Sequence, residues 1–181
     1  MMGHPIKHFL TITHHRHLVM YYCFKVGIGF QGLFHDWSKY SFTEFYNGAK
    51  YYTGTASPND QERKIKGYSA AWMHHKGRNK HHFEYWVDVI GTDYGPVVMP
   101  IRYLKESLCD RIAASKIYAK KMYRSDFPLQ YFLKQETSRK MEKTSAAVLQ
   151  QWLEWVASDG EKEAFKKIKK IKSYQQMDGM I

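Results

Sequence analysis

Apolar residues recur along most of this chain at the three-and-four spacing of an amphipathic helix, and no run alternates convincingly with the period of two that marks a strand. A first helix is predicted from about Pro5 to Val26, closed by Gly27, a residue type that ends helices readily. A short helix then carries "GFQGLFHDW". Ser41 and Glu44 have capping-box spacing, which starts another helix over "FTEFYNGAKYY". Beyond the loop "TGTASPN", Ser57 and Pro58 suit the N-cap and first position of a helix that closes near His75, where "KGRN" supplies a Gly and an Asn. "HHFEYWVDVI" reads as a shorter helix and "GTDYGPVVMP" as a loop. From Pro100 to about Tyr123, the spacing of Ile101, Leu104, Leu108 and Ile112 gives a buried stripe. Two further helices are predicted around residues 138–157 and 160–173. With no internal repeat and no low-complexity linker, the expected architecture is all-α and single-domain.

Composition narrows the picture. A chain of 181 residues is long enough to bury a real core, and 16% aromatic residues argue against global disorder. The formal charge of +11 favours an anionic partner: a phosphorylated metabolite, a nucleic acid or an acidic membrane surface. Part of it is local, since "EKEAFKKIKKIKS" (161–173) carries six Lys against two Glu. In that segment Phe165, Ile168 and Ile171 recur every three residues, an amphipathic basic helix that either packs with its lysines solvated or contacts nucleic acid or a membrane surface. Cys23 and Cys109 sit in apolar helical contexts and read as buried thiols, which fits a reducing cytoplasm. No apolar run approaches the ~18 residues of a membrane span, and "MMGHPIKHFLTITHHRH" lacks the apolar stretch of a signal peptide. The expectation is a soluble, cytoplasmic protein.

The histidines are not scattered. All ten lie within the first 82 residues, in "HHRH", "HD" and "HHKGRNKHH" among others. His4, His8, His14 and His17 read as ordinary core or surface residues. The His35-Asp36 pair differs, because a carboxylate beside an imidazole in apolar surroundings is costly to bury unless something pairs with both. Imidazoles and carboxylates together suit a divalent transition metal (Mn, Fe, Co, Ni or Zn), as one ion or two. On an ideal helix the two side chains point about 100° apart, so other helices must complete any shell. His15 lies upstream; His74, His75, His81 and His82 flank a short turn. Asp110 shares a helix face with Tyr103, Ser107, Ala113 and Ala114, two of them small enough to admit close approach. Alone, Asp110 reads as a carboxylate paired with a neighbouring arginine. Glu44 reads as the third residue of its capping box, with a general base near the metal as the other reading.

The order His15, His35-Asp36, Asp110 resembles the HD-domain superfamily of metal-dependent phosphohydrolases, and Lys39 in "HDWSK" is similar to its HD-x-x-K form. More narrowly, "QGLFHDWSKYSFTEF", "SPNDQERKIKGYSAAWMHHKGRNKHHFEYW" and "MPIRYLKESLCDRIAASKIY" resemble an uncharacterised bacterial and phage family over most of residues 10–135. The resemblance implies a helical HD-like metal-binding domain over residues 1–158, followed by a basic amphipathic helix and tail over 159–181.

It also implies roles. His15, His35, Asp36 and Asp110 would hold one ion, and Asp36 would bridge to a second held by His75 and His82, with His74 and His81 as rivals. Asp36 and Lys39 would serve the reaction, in which a water made acidic by the metal attacks phosphorus. Lys39, Lys76 and Arg78 would grip phosphate, and Asn79 would orient an oxygen. The expected activity is hydrolysis of a nucleotide or other small phosphoester. Two alternatives stand beside it: a di-iron oxygenase on the same ligand scaffold, and a metal-stabilised nucleic-acid-binding module without turnover.

Overall fold

Helix α1 (Pro5–Lys25) begins with Pro5 in its first turn, where the missing N–H costs nothing, and its chain leaves through Gly27 at φ 83°. The computed structural model describes residues 3–177 and 179. Within them the protein is predominantly helical, with nine α-helices and one two-stranded sheet. After α1 come α2 (Gly29–Gly32), α3 (Phe42–Lys50), α4 (Pro58–Lys66) and α5 (Ala70–Lys76). A hairpin of β1 (Val87–Ile90) and β2 (Asp93–Pro96) precedes α6 (Ile101–Ala119), α7 (Phe127–Lys134), α8 (Thr137–Lys140) and α9 (Lys143–Lys170).

The core lies where α1, α6 and α9 meet. Val19 and Cys23 of α1, Leu104, Leu108 and Ile112 of α6, and Leu149, Trp152 and Val156 of α9 are all fully buried in one cluster. The apolar stripe of α6 thus faces inward as its spacing predicts. Both cysteines are buried free thiols. Gly160, at φ 77°, breaks α9 where the sequence separates two helices. Beyond it Phe165, Ile168 and Ile171 join the same core, and Lys166, Lys167, Lys169 and Lys170 remain on the exposed side. No helix among the described residues is long and apolar enough to cross a membrane.

Four local expectations are corrected. The single helix expected from Pro58 to His75 is two, because Gly67 takes a left-handed conformation (φ 79°) and Ser69 caps a new start by accepting from Trp72 N–H at 3.0 Å. The segment read as a helix over 81–90 is a 3-10 turn (Phe83–Tyr85) followed by β1, and the adjoining "loop" supplies β2. These strands pair antiparallel across a two-residue turn with Gly91 at φ 66°. Helix α6 ends at Ala119 rather than near Tyr123, and the chain then forms α7, which the spacing did not announce. Lastly, α2 stops at Gly32, so His35 and Asp36 occupy a turn rather than a helix.

That turn is held against α1 by a close approach. A Cβ on Gly32 would stand 2.4 Å from Cys23 Cβ and 3.4 Å from the Met20 backbone. Gly32→Ala should therefore push α2 off α1 and destabilise the protein by about 1–3 kcal/mol, as overpacking does elsewhere. Urea unfolding checks this; a midpoint equal to wild type would mean the contact is slack.

Candidate metal centre

Asp36 is the hub. It adopts a left-handed backbone (φ 53°), a conformation that Asp and Asn tolerate better than most residues, and its side chain is 1% exposed. This turn sends the carboxylate inward beside His35 instead of around a helix face. Its two oxygens divide their neighbours. Oδ2 faces His35 Nε2 at 3.1 Å and His15 Nε2 at 3.6 Å, while Oδ1 faces His75 Nε2 at 3.3 Å and His81 Nε2 at 3.4 Å. Lys39, one turn on, forms an ion pair with Oδ2. Asp110, from the middle of α6, reaches His15 Nε2 at 2.9 Å and His35 Nε2 at 3.8 Å.

Two groups of donor atoms result. Those of His15, His35, Asp36 and Asp110 lie within 4.8 Å of one another, and so do those of Asp36, His75, His81 and His82. His15 Nε2, His35 Nε2, His81 Nε2 and both oxygens of Asp36 are buried without a hydrogen-bond partner among the described residues. Lys39 pairs with one Asp36 oxygen and Asp110 stands 2.9 Å from His15 Nε2, yet none of the five atoms makes a well-formed hydrogen bond. Buried polar atoms are ordinarily satisfied, so their convergence forms a donor set that fits a divalent cation. Asp36, with one oxygen turned to each group, is placed to belong to both.

Carboxylates behind the rings fix which nitrogens face inward. Glu106 Oε1 lies 2.8 Å from His35 Nδ1 and 3.2 Å from His81 Nδ1. Glu44 Oε2 lies 2.7 Å from His75 Nδ1, and its Oε1 lies 2.7 Å from His74 Nδ1. With Nδ1 donating outward, Nε2 of His35, His75 and His81 is the nitrogen turned to Asp36; in His35 it carries a proton in the metal-free protein and would offer its lone pair once a metal displaced that proton. Carboxylates orient metal-binding histidines in this way in general. Although Glu106 also clusters with His35 and His81, it meets their Nδ1 atoms on the far side of the rings, so it serves as a support.

Charge follows the same plan. Burial opposes ionisation of Asp36, but His35, Lys39 and His75 hold its carboxyl well below the usual range. Burial likewise opposes Glu106, while hydrogen bonds from His35 and His81 bring it down to about 2. Burial works against protonation of His35, yet Asp36, Glu106 and Asp110 raise it to about 10. In His82 burial and the neighbouring His81 and His75 all lower the value far below normal, so its ring is neutral and its Nε2, 2.9 Å from that of His75, can donate a lone pair.

A cavity of about 930 Å³ opens over this cluster, with His15, His75, His82 and Asp110 in its wall. Ser107 and Ala114, on the face of α6 assigned to Asp110, line it too. Its cationic residues include Lys39, Arg63 and Arg111. Lys76 and Arg78 are not among its lining residues; Arg78 is exposed and donates to the His74 carbonyl at 3.3 Å. Asn79 sits behind the site, donating to Ser38 Oγ at 2.7 Å and the His75 carbonyl at 2.8 Å.

Glu44 completes only half of its expected capping box, and it lies in the cavity wall. Its N–H is capped by Ser41 at 3.5 Å, but its carboxylate is drawn away from the box by His74 and His75, and the Ser41 N–H bonds Ser38 instead. His81, Glu106 and Arg111 did not emerge from sequence as members of the site, His81 entering only as a rival ligand. Glu106 had one readable signal, since it precedes Asp110 by one helical turn and so shares its face.

Together these features define a predominantly helical protein with a buried imidazole–carboxylate cluster able to hold metal. A family described as "Family of unknown function (DUF5662)" matches residues 4–155, and the chain belongs to that family. No curated protein and no solved structure matches the chain.

Proposed function

We propose that this protein is a metal-dependent phosphohydrolase acting on a nucleotide or another small phosphoester, with the HD-type arrangement its motifs resemble. One observation carries the reading: five buried atoms of His15, His35, His81 and Asp36 converge without a well-formed hydrogen bond, beside a cavity whose wall sets Lys39, Arg63 and Arg111 among carboxylates. In the first position His15, His35, Asp36 and Asp110 would hold an ion, and Asp36 with His75, His82 and His81 would hold the second. A divalent metal there supplies Lewis acidity and lowers the pKa of a bound water toward neutrality. The chain's own residues do the rest. The Lys39 ammonium, ion-paired to Asp36 and 29% exposed, would donate to a phosphoryl oxygen. Glu44 and Glu106 accept from Nδ1–H, so Nε2 is the nitrogen each ring would offer to a metal on losing its proton. Trp72 and Tyr52 stand in the cavity wall.

The test is metal analysis of the purified full chain, then phosphate release from a phosphomonoester panel after reconstitution. Bound transition metal, with turnover stimulated by manganese, cobalt or nickel and abolished by chelation, is the expected result. Two irons with oxygen consumption and no phosphate release would overturn it in favour of an oxygenase. Normal nucleic-acid binding by metal-free protein, without turnover, would overturn it in favour of a binding module.

A further inference from the structure

Two side chains next to the metal cluster have hydrogen-bonding capacity that the cluster does not use. Arg111 follows Asp110 on α6, and Glu84 lies in the 3-10 turn just after His82; both line the same cavity. Arg111 Nε and Glu84 Oε2 are each buried with no hydrogen-bond partner among the described residues, so the two do not satisfy one another at those atoms. Arg111 is not loose, since its guanidinium carbon sits 5.5 Å over the Phe132 ring. An arginine can only donate, and an ionised carboxylate can only accept. Leaving these two atoms unpaired is costly, and a ligand that draws both half-buried side chains into hydrogen bonds relieves that cost.

Accordingly, we infer that Arg111 and Glu84 form a leaving-group subsite, selecting phosphoesters whose non-phosphate part presents an acceptor beside an N–H or O–H donor. The inference rests on the phosphohydrolase reading and names what its substrate must carry. Arg111 donates to the acceptor, and Glu84 accepts from the donor. A nucleobase edge supplies this pair, and so do the hydroxyls of a sugar. A plain aromatic or alkyl phosphate supplies neither, and leaves both protein groups unpaired. Sites built on buried polar groups reject such analogues strongly.

The experiment uses manganese-loaded full-length protein and three probes: guanosine 5′-monophosphate, ribose 5-phosphate and phenyl phosphate. Binding is read by calorimetry and turnover as kcat/KM, for wild type, Arg111→Met, Arg111→Lys and Glu84→Gln, each first shown to retain its metal and helical content. Wild type should prefer a donor-and-acceptor probe over phenyl phosphate. That ratio should fall about 10- to 100-fold in Arg111→Met and Glu84→Gln, the loss expected for a hydrogen bond to a charged group, and recover in part in Arg111→Lys. Preference for ribose 5-phosphate equal to that for the nucleotide assigns the subsite to the sugar; preference for the nucleotide alone assigns it to the base. If all three probes bind alike, or the variants weaken them equally, the subsite is overturned while hydrolysis stands. If the preference in binding persists but no probe is turned over, the subsite stands and the hydrolase reading falls.

Discussion

Asp36→Asn will lose metal and activity together and weaken the metal-free fold. Asparagine is chosen because it tolerates the left-handed backbone of this position (φ 53°), so the change removes charge and little else. Asp36→Ala would add about 1–2 kcal/mol of backbone strain and confuse the outcome. The carboxylate meets both donor groups, one oxygen to each, and an amide offers only one oxygen. Metal affinity should fall by more than about 100-fold, past the range seen when only a supporting residue is changed. Metal-free protein should also suffer, because His35, Lys39 and His75 would be left around a neutral centre; removing one partner of a buried ion pair costs about 3–5 kcal/mol. Metal content and phosphate release, measured on the same preparation, decide it. A variant with wild-type metal and turnover would refute the central position given to Asp36.

The sequence made some of this legible and hid the rest for identifiable reasons. His35 and Asp36 could be singled out because a carboxylate beside an imidazole in apolar surroundings needs a partner; Asp110 and His15 joined them through the resemblance, and the structure does bring the four together. The region of "HHKGRNKHH" was readable too, but its inward-facing rings were not. His74, His75, His81 and His82 crowd one corner, and what separates them is the position of two carboxylates from elsewhere. Glu44 on α3 turns His74 and His75, whereas Glu106 on α6 turns His81. Local spacing carries no trace of either contact. The hairpin escaped for a different reason. Val87–Ile90 is exposed on both faces, and its apolar–polar alternation lasts only from Val87 to Val89 before Ile90 ends it, too short to separate a strand from a helical turn. The break at Gly67 was masked by helix formers on both sides, although that glycine is the one residue there able to take a positive φ cheaply.

Glu106→Gln should weaken metal binding by about 10- to 100-fold without abolishing it, the usual consequence of altering a residue that orients a ligand. The glutamate accepts from His35 and His81 with one oxygen and from Gln31 with the other. A glutamine has a single acceptor oxygen and turns an NH2 toward one of those donors, so one contact is lost and the charge with it. The metal-free protein offers an independent readout, because two shifts with opposite signs meet here. The Glu106 carboxyl is lowered to about 2 from 4.5, so its stabilising contribution is complete above pH 4.5 and disappears as pH falls through 2. His35 is raised to about 10 from 6.5, so its contribution is complete below pH 6.5 and disappears as pH rises through 10. Both are therefore fully present only between pH 4.5 and 6.5. The stability gap between metal-free wild type and Glu106→Gln should be widest in that window and narrow on either side. Metal binding obeys the opposite trend, since His35 must give up its proton to become a ligand, and loading should improve with rising pH. Denaturant titrations across pH, alongside metal affinities, test both. A gap that does not vary with pH, or a variant that binds metal as wild type does, would mean that Glu106 supports neither ring.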